Sequence, residues 1–241
     1  ATMSVKVPPR SIQNCQRLPA GAVVMVEGRG VFSFCMCPGG IIAPASTNPN
    51  EVVVNGWSPS KRNNPYANSG LVVEVQETDF KPYQKDGALR ALRFQQAVER
   101  KAFEAGGADL TAPAQRLMDF LEFRNSSTLP DCSYTPGIKP VRMDEVLPSA
   151  IATSIREGLK MAGKKMKGYL TNEAVLVATE SRTSSPVRIP RDADTLMHPQ
   201  VNGLFPCGEG AGYAGGIMSA AMDGERVAEK CASWVHHSKR N

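Results

Sequence analysis

The stretch that most constrains this chain is Gly203–Trp234, GLFPCGEGAGYAGGIMSAAMDGERVAEKCASW. Its opening apolar run, Gly203–Cys207, has the length of one buried strand. Glycines crowd around and after it, at Gly203, Gly208, Gly210, Gly212, Gly215, Gly216 and Gly224. Beyond Gly216 the spacing of Ile217, Ala220, Ala221, Val227, Ala228 and Cys231 predicts an amphipathic helix. Strand, glycine loop and helix together converge the free N–H groups of a helix start on one point, where an anion is held. Glycine lets ligand oxygens approach the backbone there, because no Cβ intervenes. Gly210, Gly212 and Gly215 spell G-x-G-x-x-G, yet a first dinucleotide-binding βαβ unit needs a second strand bearing an acid about 20 residues on. The sequence ends at Asn241, so the stretch is read as a closing strand–loop–helix. Glu209, at the strand's carboxyl end, is placed to accept hydrogen bonds from the hydroxyls of a sugar or sugar alcohol. A tight turn whose glycines serve packing alone is the competing reading.

A length of 241 residues admits one large domain or two small ones. The net charge of +5 is mildly basic, its density lying in Lys160–Lys167 and His236–Arg240. Aromatics make up 6% and do not interleave with the basic residues, so no nucleic-acid interface is expected. The six cysteines are too sparse for a disulfide scaffold, and no run reaches membrane-span length or follows a signal-peptide profile. A cytoplasmic protein without a membrane partner is expected. The opening ATMSVKVPP does not read as a natural domain start, which suggests a fragment of a longer chain.

Residues 1–19 form an extended segment in this reading. Val23–Glu27 and Val31–Cys35 are strands with a hairpin turn at Gly28–Gly30, and Ile41–Pro44, Glu51–Gly56 and Leu71–Val75 are further strands. Composition then shifts. Gly87–Ala105 is a helix burying Ala91, Phe94, Val98 and Ala102, with Glu99 on its other side. A second helix is capped by Thr111, carries Pro113 in its first turn, and buries Leu117, Phe120 and Leu121. A third runs from Pro148 to Lys167 with its lysines on a solvated face, and Glu173–Thr179 is a strand.

Cys35-x-Cys37 lacks the second ligand pair of a zinc site, so no metal is expected. A redox role for the two thiols and plain packing both remain open. Ser181–Ser185 with Arg182 and Arg188 makes a hydroxyl- and guanidinium-rich loop, fitted either to clamp a carboxylate, a phosphate or an electron-rich ring edge, or to anchor the loop. No Ser-His-Asp or Cys-His arrangement is readable.

RGVFSFCMCPGG (Arg29–Gly40), VVVNGWSPSKRNNPYANSGLVVEV (Val52–Val75), GKKMKGYLTNEAVLVATESRTSSPVRIPRD (Gly163–Asp192) and GLFPCGEGAGYAGGIMSAAMDG (Gly203–Gly224) resemble the uncharacterised FAD-dependent dehydrogenases, flavoproteins also labelled NAD- or FAD-utilizing. The likeness runs from about residue 18 onward. It implies an α+β / α/β fold, a β-rich (20–76) and helical (87–167) substrate domain over 20–172, inserted into an FAD domain. Residues 173–241 would be the C-terminal strand–loop–helix part of that Rossmann-like FAD/NAD(P)-binding domain. By the resemblance, FAD is the cofactor, held by Gly208, Glu209, Gly210, Gly212, Tyr213, Gly215, Gly216 and Ser184. Cys35, Cys37 and Arg182 are then candidates for the catalytic face, and NAD(P)H is the implied electron donor. The N-terminal half with the first glycine fingerprint is missing, so the fragment alone is expected to hold FAD weakly and to be inactive. The alternative is a non-catalytic module binding an anionic partner through Ser58–Asn64 and the Lys160–Lys167 face.

Overall fold

The computed structural model describes residues 2–7 and 23–238. Its centre is a seven-stranded mixed sheet, built from β1 (Thr2–Val7), β2 (Val23–Val26), β3 (Arg29–Cys37), β6 (Asn68–Glu74), β7 (Ala112–Arg116), β8 (Ile138–Pro140) and β9 (Val175–Glu180). The spatial order is β2-β3-β6-β1-β9-β7-β8, antiparallel except for the β7–β8 pair. A separate hairpin pairs β4 (Ile41–Pro44) with β5 (Val54–Trp57). Helices α1 (Arg90–Gly106), α2 (Leu117–Leu121), α3 (Met143–Val146) and α4 (Ser149–Lys165) pack on the sheet, and α5 (Ile217–Ser238) closes the described chain. The fold is α+β. No helix among the described residues is long and apolar enough to cross a membrane.

Local chemistry explains most of these elements. The β2–β3 turn sits at Glu27-Gly28, one position earlier than the glycine pattern suggests. Both residues have positive φ, 47° and 78°, the conformation whose twist matches a two-residue hairpin. Arg29, the first residue of β3, reaches Asp79 through two bonds of 2.6 and 2.8 Å and so ties the sheet to the 3₁₀ segment Glu77–Leu89. In α1, Phe94, Val98 and Ala102 point inward, with Phe80 edge-on to Phe94 at 5.6 Å. Along α4 the buried row is Ile151, Ile155, Leu159 and Ala162, while Lys164, Lys165 and Lys167 lie in solvent as expected. Gly158 lets α4 settle on β3: a Cβ there would come within 2.7 Å of the Val31 side chain.

Two expected elements are absent from their places. Ala112–Arg116 is strand β7, and only Leu117–Leu121 is helical. Pro113 sits where β7 has not yet paired with β9, whose partners are Ala114, Gln115 and Arg116, so its missing N–H costs that pairing nothing. The inward placement of Leu117, Phe120 and Leu121 holds. The second correction is Gly203–Cys207, which is a loop, not a buried strand. It packs on the end of α5, with Phe205 edge-on to Trp234 at 5.9 Å, and leaves Leu204 and Cys207 exposed.

Candidate functional site

The C-terminal end of β9 delivers Ser181 and Arg182 to a buried ionic cluster. Arg182 donates from Nη2 to Glu51 at 2.5 Å and to Glu99 at 3.0 Å, from Nε to Glu99 at 3.1 Å, and from Nη1 to the Thr47 hydroxyl at 2.7 Å. Glu99 also accepts from Gln95 at 3.0 Å and from the Ser181 hydroxyl. Its side chain is 1% exposed, so the expectation that Glu99 faces away from the core is corrected. Burial pushes the Glu51 carboxyl up, but the N–H groups of Asn48 and Thr47, the Asn48 amide and Arg182 outweigh it and hold the pKa at about 2. The hydrogen bond to Glu99 raises Arg182 above its ordinary value. The guanidinium is thereby directed inward onto two carboxylates.

Beside this cluster lies a cavity of about 350 Å³, lined by Thr47, Gln95, Glu99, Arg182, Ser184 and Glu209, with Gly210 at its edge. The structure therefore brings together four of the residues singled out in the sequence: Arg182, Ser184, Glu209 and Gly210. Glu209 is half-buried, and among the described residues nothing hydrogen-bonds to its carboxylate. The neighbouring Thr183 hydroxyl is buried and, among the described residues, has no hydrogen-bond partner. Cys37 is buried in β3 and is not among the lining residues; the Cys35 side chain lies outside the described residues.

The glycine stretch is a closed turn. The Gly208 N–H donates to Asp223 at 2.8 Å, Gly212 N–H to the Glu209 carbonyl at 2.9 Å, and Tyr213 N–H to the Gly208 carbonyl at 3.0 Å. Gly212 has φ +84°, and a Cβ on it would lie 2.7 Å from the Val187 carbonyl, so this glycine holds the turn against residues 187–188. Ile189 N–H to Ala211 carbonyl (3.1 Å) and Tyr213 hydroxyl to Ile189 carbonyl (2.9 Å) complete that seam. At Gly210 and Gly215, by contrast, a Cβ would meet open space. Gly216 begins α5 by accepting from the Ala220 N–H at 2.9 Å, and Gly215 N–H donates to the Ser219 hydroxyl at 3.3 Å. Asp223 on α5 anchors the whole turn, since Arg191 grips it at 2.6 and 2.9 Å. That grip, the buried Glu51 and Glu99, and Asp223 itself were not legible as site residues. Only the i, i+4 spacing of Gln95 and Glu99 beside the apolar stripe of α1 hints at them.

These residues offer a ligand two features. An unpaired carboxylate over a cavity can accept hydroxyls, and at Gly210, which lines the same cavity, a Cβ would meet open space. A volume near 350 Å³ is at the small end for a ligand pocket, roughly 300–1,000 Å³.

The family model described as FAD-dependent protein, C-terminal domain-like, matches residues 13–183. An uncharacterised protein of Clostridium beijerinckii is 45% identical over 203 residues, covering 83% of this chain and 37% of its own length. The chain thus spans little more than a third of the relative it matches. With its family match extending over most of its length, the chain belongs to the FAD-dependent protein, C-terminal domain-like family.

Proposed function

We propose that the chain is the C-terminal part of an FAD-dependent oxidoreductase, a dehydrogenase drawing electrons from NAD(P)H. The observation that carries this reading is the unpaired Glu209 carboxylate, set over the cavity beside the Arg182 cluster. In this role Glu209 accepts hydrogen bonds from ribityl hydroxyls, Ser184 lines the same cavity, and the open side of Gly210 and Gly215 faces the diphosphate. Bound flavin supplies the hydride chemistry; the chain's own residues bind and orient it. Arg182 holds Glu99 and Glu51 in place through its hydrogen bonds, and so shapes a wall of that cavity. Residues 20–172 then carry the substrate side and 173–241 the flavin side, joined through β9, which lies in the shared sheet. A cytoplasmic location goes with this role.

A further feature supports the reading. On α5 the side chains of Ile217, Met218 and Met222 are 90%, 71% and 66% exposed, an apolar face that the remainder of a longer flavoprotein would cover. The test is flavin uptake by absorbance, in this chain and in a chimera joining it to the part of the Clostridium relative outside the matched region. The chimera is expected to take up flavin and Glu209→Ala to weaken uptake by roughly tenfold or more. The 241-residue chain is expected to hold flavin weakly or not at all. Unchanged uptake in the chimera's Glu209→Ala variant overturns the role of that acid, and near-stoichiometric flavin co-purifying with the shorter chain overturns the partial cradle.

A further inference from the structure

A second cavity, of about 570 Å³, opens between the segment 188–196 and α5. It is lined by Arg188, Arg191, Asp192, Leu196, Tyr213 and Arg226, and shares no lining residue with the Glu209 cavity. We infer that this cleft is an anion site for a phosphate or diphosphate group, gripped by Arg188 and Arg226 over a floor formed by Arg191 and Tyr213.

The floor is rigid. Arg191 has a side chain 7% exposed, fixed by two bonds to Asp223 and one of 2.9 Å to the Pro206 carbonyl. Its guanidinium lies 3.6 Å from the centre of the Tyr213 ring. Its charge is matched by Asp223, so it contributes shape and orientation rather than an unspent cation. The other two arginines differ. Arg188 stacks on the same ring at 4.4 Å, and among the described residues it makes no hydrogen bond or ion pair. Arg226, three residues beyond Asp223 on α5, is likewise exposed and without an ion-pair partner among them. Stacking restricts the Arg188 side chain before any ligand arrives, which lowers the entropy lost on binding.

The charges lining this cleft are the Arg188 and Arg226 guanidinium groups, that of Arg191 already paired with Asp223, and one carboxylate, Asp192. One oxygen of that carboxylate is already engaged by the N–H groups of Asp194 and Thr195 and by the Thr195 hydroxyl, at 3.1, 2.8 and 2.9 Å. A guanidinium fork takes two oxygens of a phosphate in parallel. Two forks, one from a loop and one from a helix, need oxygens on more than one side of the ligand. A planar carboxylate offers a single edge, whereas a tetrahedral phosphate or a diphosphate offers several. The inference does not rest on flavin binding at Glu209.

Isothermal titration of the full chain at low salt tests it, with inorganic pyrophosphate and phenyl phosphate as probes of the diphosphate and the monoester. Saturable binding of one equivalent is expected, and the tighter probe identifies the class. Arg188→Gln and Arg226→Gln, both exposed and therefore tolerated by the fold, should each weaken it roughly tenfold. Arg100→Gln removes the same charge from a different cavity and should leave binding within about twofold. Absence of saturable binding overturns the site, as does an equal loss in Arg100→Gln, which would reduce the effect to net charge. If Glu209→Ala abolishes pyrophosphate binding, the anion occupies the other cavity; the inference then fails while the flavin reading stands.

Discussion

Where β9 ends, one guanidinium serves two carboxylates. Arg182 lies between Glu51 and Glu99, and both acids are nearly enclosed, with side chains 7% and 1% exposed. Removing the cation leaves two buried negative charges facing each other, which is far costlier than losing an exposed pair. Arg182→Ala is therefore expected to lower unfolding stability by about 3 kcal/mol, read from urea midpoints at neutral pH. A near-neutral result would mean that the cluster contributes little to the fold and that Arg182 is free to serve a ligand. From residue types alone the arginine was conspicuous and its partners were not. Glu51 and Glu99 are 48 residues apart in the chain, and only the packing of α1 against the β4–β5 region brings them together. Sequence spacing carries no record of such a long-range meeting.

At the level of elements, the seam between the glycine turn and residues 187–189 decides where both cavities lie. Gly212 is its tightest point, with positive φ and the Val187 carbonyl against its Cα hydrogens. Gly212→Ala combines backbone strain with a steric overlap and is expected to cost about 1–3 kcal/mol, measured by thermal or urea unfolding. It should also loosen the contact of Arg188 with Tyr213, visible as a change in tyrosine fluorescence. An unaltered unfolding midpoint would show that the seam is soft. Helices with a clear apolar stripe, α1 and α4, were legible within a few residues, because burying such a stripe leaves little choice of orientation. Short elements were less so. Thr111 and Pro113 have the chemistry of a helix start, yet Gln115 is fully buried, with its amide bonded to the Met143 N–H and the Arg124 carbonyl, and this holds residues 112–116 extended. Gly203–Cys207 has a strand's composition without a neighbouring strand among the described residues to pair with.

Across the whole molecule, the sheet depends on a strand drawn from the first few residues. β1 lies between β6 and β9, so Thr2–Val7 connects the β2-β3-β6 half to the β9-β7-β8 half. Val5→Pro would remove a backbone donor from a strand paired on both edges, and cooperative unfolding is expected to be lost or strongly weakened, as followed by circular dichroism. Retention of a single sharp transition would show that the halves hold together without it. The partners of β1 come from residues 68–74 and 175–180. During synthesis on the ribosome, one edge of this strand must wait bare until residue 180 has cleared the exit tunnel. In that interval the nascent chain offers an open template to any other extended polypeptide nearby, and a chaperone that shields it would raise the yield of folded protein.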